Sequence, residues 1–209
     1  MKLVTVLLCI SLLLAMLAGC RRQTPDTTTT ATPSTTTTAP LPTPVVTTPG
    51  TSDTKSAELL AAIWNRYAQE ERFASYGGTV EHSISDAPGD LDLANTDELT
   101  GMYLIPADRL AQLKDAASLV HMMNSNIFTA AVVELSDVAQ LGAFAESWRD
   151  AIRQNRWICG QPDRMVMAVP EQGRVLMAFG SSDAMDVFET HMKEAYPNIR
   201  ILYQEAVVG

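Results

Sequence analysis

Cys159 is the residue of this 209-residue chain best suited to nucleophilic chemistry. A nucleophilic cysteine needs a lowered pKa and a base within reach. Arg156 and Arg164 could supply positive charge, but no histidine lies nearby in sequence, and the adjacent Trp157 and Ile158 predict burial. The expectation is a packed, inert thiol. Ser181-Ser182-Asp183 follows Gly180 where a strand should pass into a helix. It resembles a nucleophile turn only superficially, because Gly-x-Ser-x-Gly is absent, and helix capping accounts for it. His82, His121 and His191 are isolated and lack metal-ligand spacing such as His-x-x-x-His. Asp86, Asp90, Asp92, Asp97 and Glu98 form an acidic stretch. Its Asp-x-Asp pair alone does not complete a calcium loop, so a solvated loop is expected. Among the ten methionines, Met165 and Met167 should fill core rather than form a soft binding surface. These residues assign no catalytic, cofactor or metal site.

The other two cysteines sit at the N-terminus. Lys2 precedes a nearly unbroken apolar run from Leu3 to Ala18, which closes on Leu17-Ala18-Gly19-Cys20. A charged start, an apolar core and small residues before a cut site are the parts of a secretory signal. A cysteine directly after Leu-Ala-Gly resembles the bacterial lipoprotein signal, in which the thiol is joined to diacylglycerol and the chain is cut ahead of it. The expected lipidation site is therefore Cys20, with 1–19 as the signal peptide. Cys9 lies within that signal, so Cys159 is the one thiol of the folded part. That leaves neither an internal disulfide nor a cysteine-based zinc site.

Residues 20–56 are rich in Thr and Pro and nearly free of large apolar side chains. Ordering such a segment costs entropy that burial cannot offset, so a disordered stalk is predicted. Its ends would lie about 35 Å apart as a coil and about 110 Å apart as extended polyproline II. Residues 57–209 then form a single globular domain. They hold 22 acidic and 11 basic residues, a net charge of −11, which argues against nucleic-acid binding.

Within this head, the spacing of Leu60, Ile63, Trp64 and Tyr67 predicts a helix over 57–73. Strands are expected at 79–84 and 101–105, with a helical region from Pro106 through Met123. From there the order is strand 128–134, helix 137–154, strands 164–169 and 174–179 joined by a hairpin turn, a helix after Ser181, and strand 199–203. Asp137 and Gln140 suggest a capping box. This β-α-β-β-α-β order predicts an α+β fold with a ferredoxin-like split core at about 127–205. Both helices would lie on one face, and the N-terminal extension would be helical.

From about Asp90 onward, over the last 110 to 150 residues, the chain resembles a family of uncharacterised bacterial lipoproteins, mainly of Gram-positive species. Asp97-Glu98-Leu99-Thr100-Gly101-Met102-Tyr103-Leu104-Ile105 and Leu119-Val120-His121-Met122-Met123-Asn124 carry the likeness. So do Arg149-Asp150-Ala151-Ile152, Trp157-Ile158-Cys159-Gly160 and Ala178-Phe179-Gly180. Some relatives bear the label "bacteriocin transport accessory protein". The resemblance implies the architecture and the location, and brings no catalytic or binding residues with it.

Together these features point to a lipoprotein held on the extracytoplasmic face of the cell membrane by its N-terminal lipid. The expected role is non-enzymatic binding of an extracellular protein or small ligand, with a task accessory to transport as one form of it. The competing expectation is a small extracellular hydrolase, which needs Cys159 or Ser181/Ser182 to meet His121 or His191 in space.

Overall fold

The computed structural model describes residues 54–207. The expected signal 1–19, Cys20 and the stalk up to residue 53 lie outside the described residues. Among those described, eight strands form one antiparallel open sheet. They are β1 (Ser75–Gly77), β2 (Ile84–Ser85), β3 (Gly89–Asp90), β4 (Leu113–His121), β5 (Phe128–Leu135), β6 (Arg164–Val169), β7 (Arg174–Gly180) and β8 (Arg200–Ala206). Their order is β2-β1-β4-β5-β7-β6-β8, and β3 also pairs with β4. Four α-helices accompany them: α1 (Ser56–Trp64), α2 (Thr96–Gly101), α3 (Leu141–Gln154) and α4 (Ser182–Ala195). None of these helices is long and apolar enough to cross a membrane.

The sheet is covered on both faces, as the alternation along its central strands shows. Val175, Met177 and Phe179 join one core with Met165 and Met167 and with Phe144, Trp148 and Ile152 of α3. Leu176 and Ala178 join the other with Val166 and Ala168, Met185, Phe188 and Met192 of α4, and Leu59, Leu60 and Ile63 of α1. Successive side chains of a strand point to opposite faces, so α3 and α4 lie on opposite sides. Met165 and Met167 fill core as the sequence suggests.

The molecule is α+β with the predicted succession of elements after residue 127, but not the predicted arrangement. A ferredoxin-like core needs both helices on one face and the last strand beside the first. Here β8 lies beside β6 on the far edge, because β4 already occupies the free edge of β5. The consequence for the helices follows from handedness. The crossovers β5-α3-β6 and β7-α4-β8 each step two places in the same direction across the sheet. Strands β5 and β7 run antiparallel. A right-handed connection stepping the same way from a reversed strand passes over the opposite face. One missed strand thus converts a two-layer expectation into three layers.

That strand is β4, where a helix was expected between Pro106 and Met123. Residues 107–112 form a short 3-10 turn, and Leu113–His121 are extended. Ala116 and Val120 face one core, Ala117 and Leu119 the other. A strand buried on both sides carries no polar alternation to reveal it. The first helix is also shorter than predicted and stops at Trp64. The Trp64 carbonyl accepts from Tyr67 N–H at 3.2 Å and from the Arg72 guanidinium at 3.2 Å, which turns the chain. The expected strand at 101–105 is irregular and follows α2, capped at Asn95 by its side-chain oxygen on Glu98 N–H. In place of one strand over 79–84 there are β1, a 3-10 turn at Val80–His82 and β2. Gly77 is required here, since a Cβ on it would stand 2.4 Å from Gly89 N and from Ser118 O.

Candidate functional site

The β4–β5 connection and the 155–163 loop meet at one end of the sheet. β1 sets the end of β4: Ser75 pairs with His121, and Met122 N–H donates to Ala74 O at 2.9 Å. Next, the chain folds around the His121 ring. Its Nδ1 accepts from Met123 N–H at 3.2 Å and from Asn124 N–H at 3.3 Å, and the ring stacks on Phe73 at 5.2 Å. The Asn124 side chain accepts from Asn126 N–H at 2.9 Å, and Ile127 N–H returns to Asn124 O at 3.0 Å.

Two asparagines of this turn hold the other loop. Asn126 Nδ2 donates to Ile158 O at 2.7 Å and to Gly160 O at 2.6 Å, while Asn124 Nδ2 donates to Cys159 O at 3.3 Å. Trp157 anchors the loop from beneath, edge-on to Phe179 at 5.1 Å. Between its neighbours Cys159 takes a left-handed conformation, φ 65°, and Gly160 follows at φ 106°. A non-glycine residue rarely adopts that geometry, and it persists where surrounding contacts fix it. The Asn126 bonds on either side of Cys159 are such contacts.

A cleft of about 440 Å³ lies between turn and loop. Its lining brings together His121, Met122, Met123 and Cys159 with Tyr76 and Met102. Tyr76 Oη donates to Met102 Sδ at 3.5 Å. The lining is mixed: Asn124, Ser125 and Asn126 stand beside exposed apolar side chains, with Met122 49% exposed, Met123 81% and Ile158 79%. Among the described residues, no carboxylate, lysine or arginine lines it.

The thiol of Cys159 is exposed, which corrects the expectation of a packed one. Trp157 faces inward alone while Ile158 and Cys159 turn outward, because the left-handed residue reverses the chain. His121 shares the cleft with Cys159 but is not placed as its base. Two backbone N–H groups aim at Nδ1, so that nitrogen carries the lone pair and the neutral ring holds its proton on Nε2. Nε2 then has no lone pair to offer a thiol or a metal.

The other candidates are engaged elsewhere. His191 is buried on α4, with Nε2 2.9 Å from Glu71 Oε2 and Nδ1 2.9 Å from Glu194 Oε2. Burial pulls its pKa down, but the hydrogen bonds to Glu194 and Glu71 outweigh that and hold it above the ordinary value. The Glu71 carboxyl is held below the usual range by Ala68 N–H first and by His191 second. Ser181 caps α4, accepting from Ala184 N–H at 3.5 Å. Ser182 N–H donates to Asp163 Oδ2 at 2.7 Å, which holds the Asp163 carboxyl low and fills the helix N-terminus with an internal anion. His82 is exposed on its 3-10 turn.

The acidic stretch is dispersed as well. Asp86 pairs with Arg72, Asp90 with Lys55, Asp92 accepts Ala94 N–H and Glu98 accepts Val80 N–H. Among the described residues no group of three His, Cys, Asp or Glu side chains is placed to hold a metal. The cleft itself was invisible to sequence reasoning, because its sulfur groups come from three separate segments. Only the adjacent Met122-Met123 pair, in a stretch expected to be helical, gave any hint. Comparison of this chain with protein families, with curated proteins and with solved structures finds no match.

Proposed function

We propose that the protein is a lipoprotein anchored through Cys20 to the extracytoplasmic face of the cell membrane, with a head that binds a ligand or partner and catalyses no reaction. The binding site in this reading is the cleft between the β4–β5 turn and the 155–163 loop. One observation carries it: three of the seven exposed large apolar side chains among the described residues, Met122, Met123 and Ile158, line it. Exposed apolar side chains set beside polar groups in a cleft mark an interaction site, and methionine adapts its shape to what it meets. The Leu17-Ala18-Gly19-Cys20 string supports the anchor, and the Thr/Pro segment supports a stalk that lifts an acidic head from an anionic surface. The resemblance to the uncharacterised bacterial lipoproteins, some labelled for bacteriocin transport, supports the same location.

The hydrolase alternative finds less support. Cys159 lacks a histidine lone pair facing it, and Ser181 and Ser182 are bound up at the start of α4. The anchor is tested by mass spectrometry of detergent-extracted protein. The account expects an N-terminal peptide that begins at a diacylglyceryl Cys20, and a Cys20→Ala chain that leaves the membrane fraction. An unmodified Cys20 in membrane-bound protein overturns it.

A further inference from the structure

Four sulfur-bearing residues line the cleft from three segments: Met102 after α2, Met122 and Met123 after β4, and Cys159 in the loop before β6. Met102 packs against the core, but packing does not explain the other three. Met123 is 81% exposed, Met122 is 49% exposed, and the Cys159 thiol is open to solvent. Three side-chain hydrogen bonds from Asn124 and Asn126 fix the backbone of Cys159 to the turn that carries the two exposed methionines. The fourth sulfur, that of Met102, accepts from Tyr76 Oη at 3.5 Å.

We infer that this cleft binds a soft monovalent metal ion, Cu(I), through the Cys159 thiolate and the thioethers of Met122 and Met123, with Met102 behind them. The inference rests on the cleft being the head's binding site. Thiolate and thioether are the donors that select Cu(I), whereas calcium and magnesium require oxygen ligands. No carboxylate is among the described residues that line the cleft, the Asn124 and Asn126 amides are engaged in holding the turn and loop together, and His121 offers no lone pair from Nε2; of the groups present, thiolate and thioether are the soft donors. Charge also balances. Cys159 releases its thiol proton to solvent as the sulfur–metal bond forms, so one thiolate and one monovalent ion give a neutral pair in an uncharged cleft. A divalent ion on the same single thiolate would keep a net positive charge there. Methionine is unbranched with three rotatable bonds, which suits an exposed thioether to turn towards a bound ion.

The test uses the full chain in detergent, with Cys9→Ser and Cys20→Ser so that Cys159 is its only thiol. Cu(I) held by bicinchoninate is titrated with protein without oxygen. The expected result is withdrawal of one equivalent of metal. Converting Met122 and Met123 to Leu together keeps their volume and removes the sulfur. That pair should lower the affinity at least tenfold while circular dichroism stays unchanged, and Cys159→Ser should lower it further. The inference is overturned if no metal is withdrawn, or if the leucine pair binds as tightly as the parent, which would mean a thiol acting alone. Acylation of Cys20 is read separately, so failure here leaves the anchored-lipoprotein reading standing, and failure there leaves this result unaffected.

Discussion

Asn126 should decide whether the Cys159 loop stays docked. Its Nδ2 spends both hydrogens on the carbonyls of Ile158 and Gly160, at 2.7 and 2.6 Å. Each such bond contributes about 0.5–1.5 kcal/mol net. Both carbonyls are partly wet, so truncation to alanine should cost the docked loop about 1–2 kcal/mol. That raises the open population by about 5- to 30-fold. Asn126→Asp should be worse than Asn126→Ala, although it is closer in shape. A carboxylate has no donor, and it would set a negative charge against two carbonyl oxygens. Trypsin reads the opening directly, because Arg156 is exposed at the start of the loop and cleavage after it tracks the open population. The cleavage rate after Arg156 should rise in the order Asn126, Ala, Asp. Thermal unfolding should stay within about 3 °C of the parent for the alanine variant, since water replaces the lost donors. Equal cleavage rates for all three, or an aspartate that protects as well as asparagine, would refute this account of the loop.

Two further outcomes follow from packing elsewhere in the head. His191 bridges Glu71 and Glu194 with a raised pKa, so its contribution to stability is complete below about pH 6.5 and is lost as pH rises through the raised folded value. The melting temperature should therefore fall from pH 5.5 to 8.5 in the parent, and fall less in His191→Gln; parallel profiles would contradict the bridge. Trp148 is fully buried and donates to Tyr103 O at 2.7 Å. Trp148→Phe leaves that carbonyl unpaired and should lower stability by about 1–3 kcal/mol in urea unfolding; an unchanged midpoint would count against it.

The half of the head after residue 127 was legible in sequence because its elements advertise themselves. α3 carries Phe144, Trp148 and Ile152 at helical spacing, Asp137 marks the turn before it, and Gly173 at φ 83° closes the β6–β7 hairpin. The first half was not legible, for physical reasons. β4 is buried on both faces, so Ala116-Ala117 and Leu119-Val120 read equally well as helix. β1, β2 and β3 are two or three residues long and owe their conformation to pairing with neighbours distant in sequence. Missing β4 then misplaced β8 and put α4 on the wrong face. The site shared this limit. Cys159 looked buried beside Trp157, and its exposure depends on a left-handed turn that Asn126 imposes from 33 residues away.

The central claim, an anchored head that presents its cleft outside the membrane, is tested by labelling intact cells with a membrane-impermeant maleimide. With Cys9 removed with the signal and Cys20 acylated, Cys159 is the one thiol to react. The account predicts that the membrane fraction of unbroken cells carries the label on Cys159, and that Cys159→Ser abolishes it. Labelling that appears only after lysis would contradict the account.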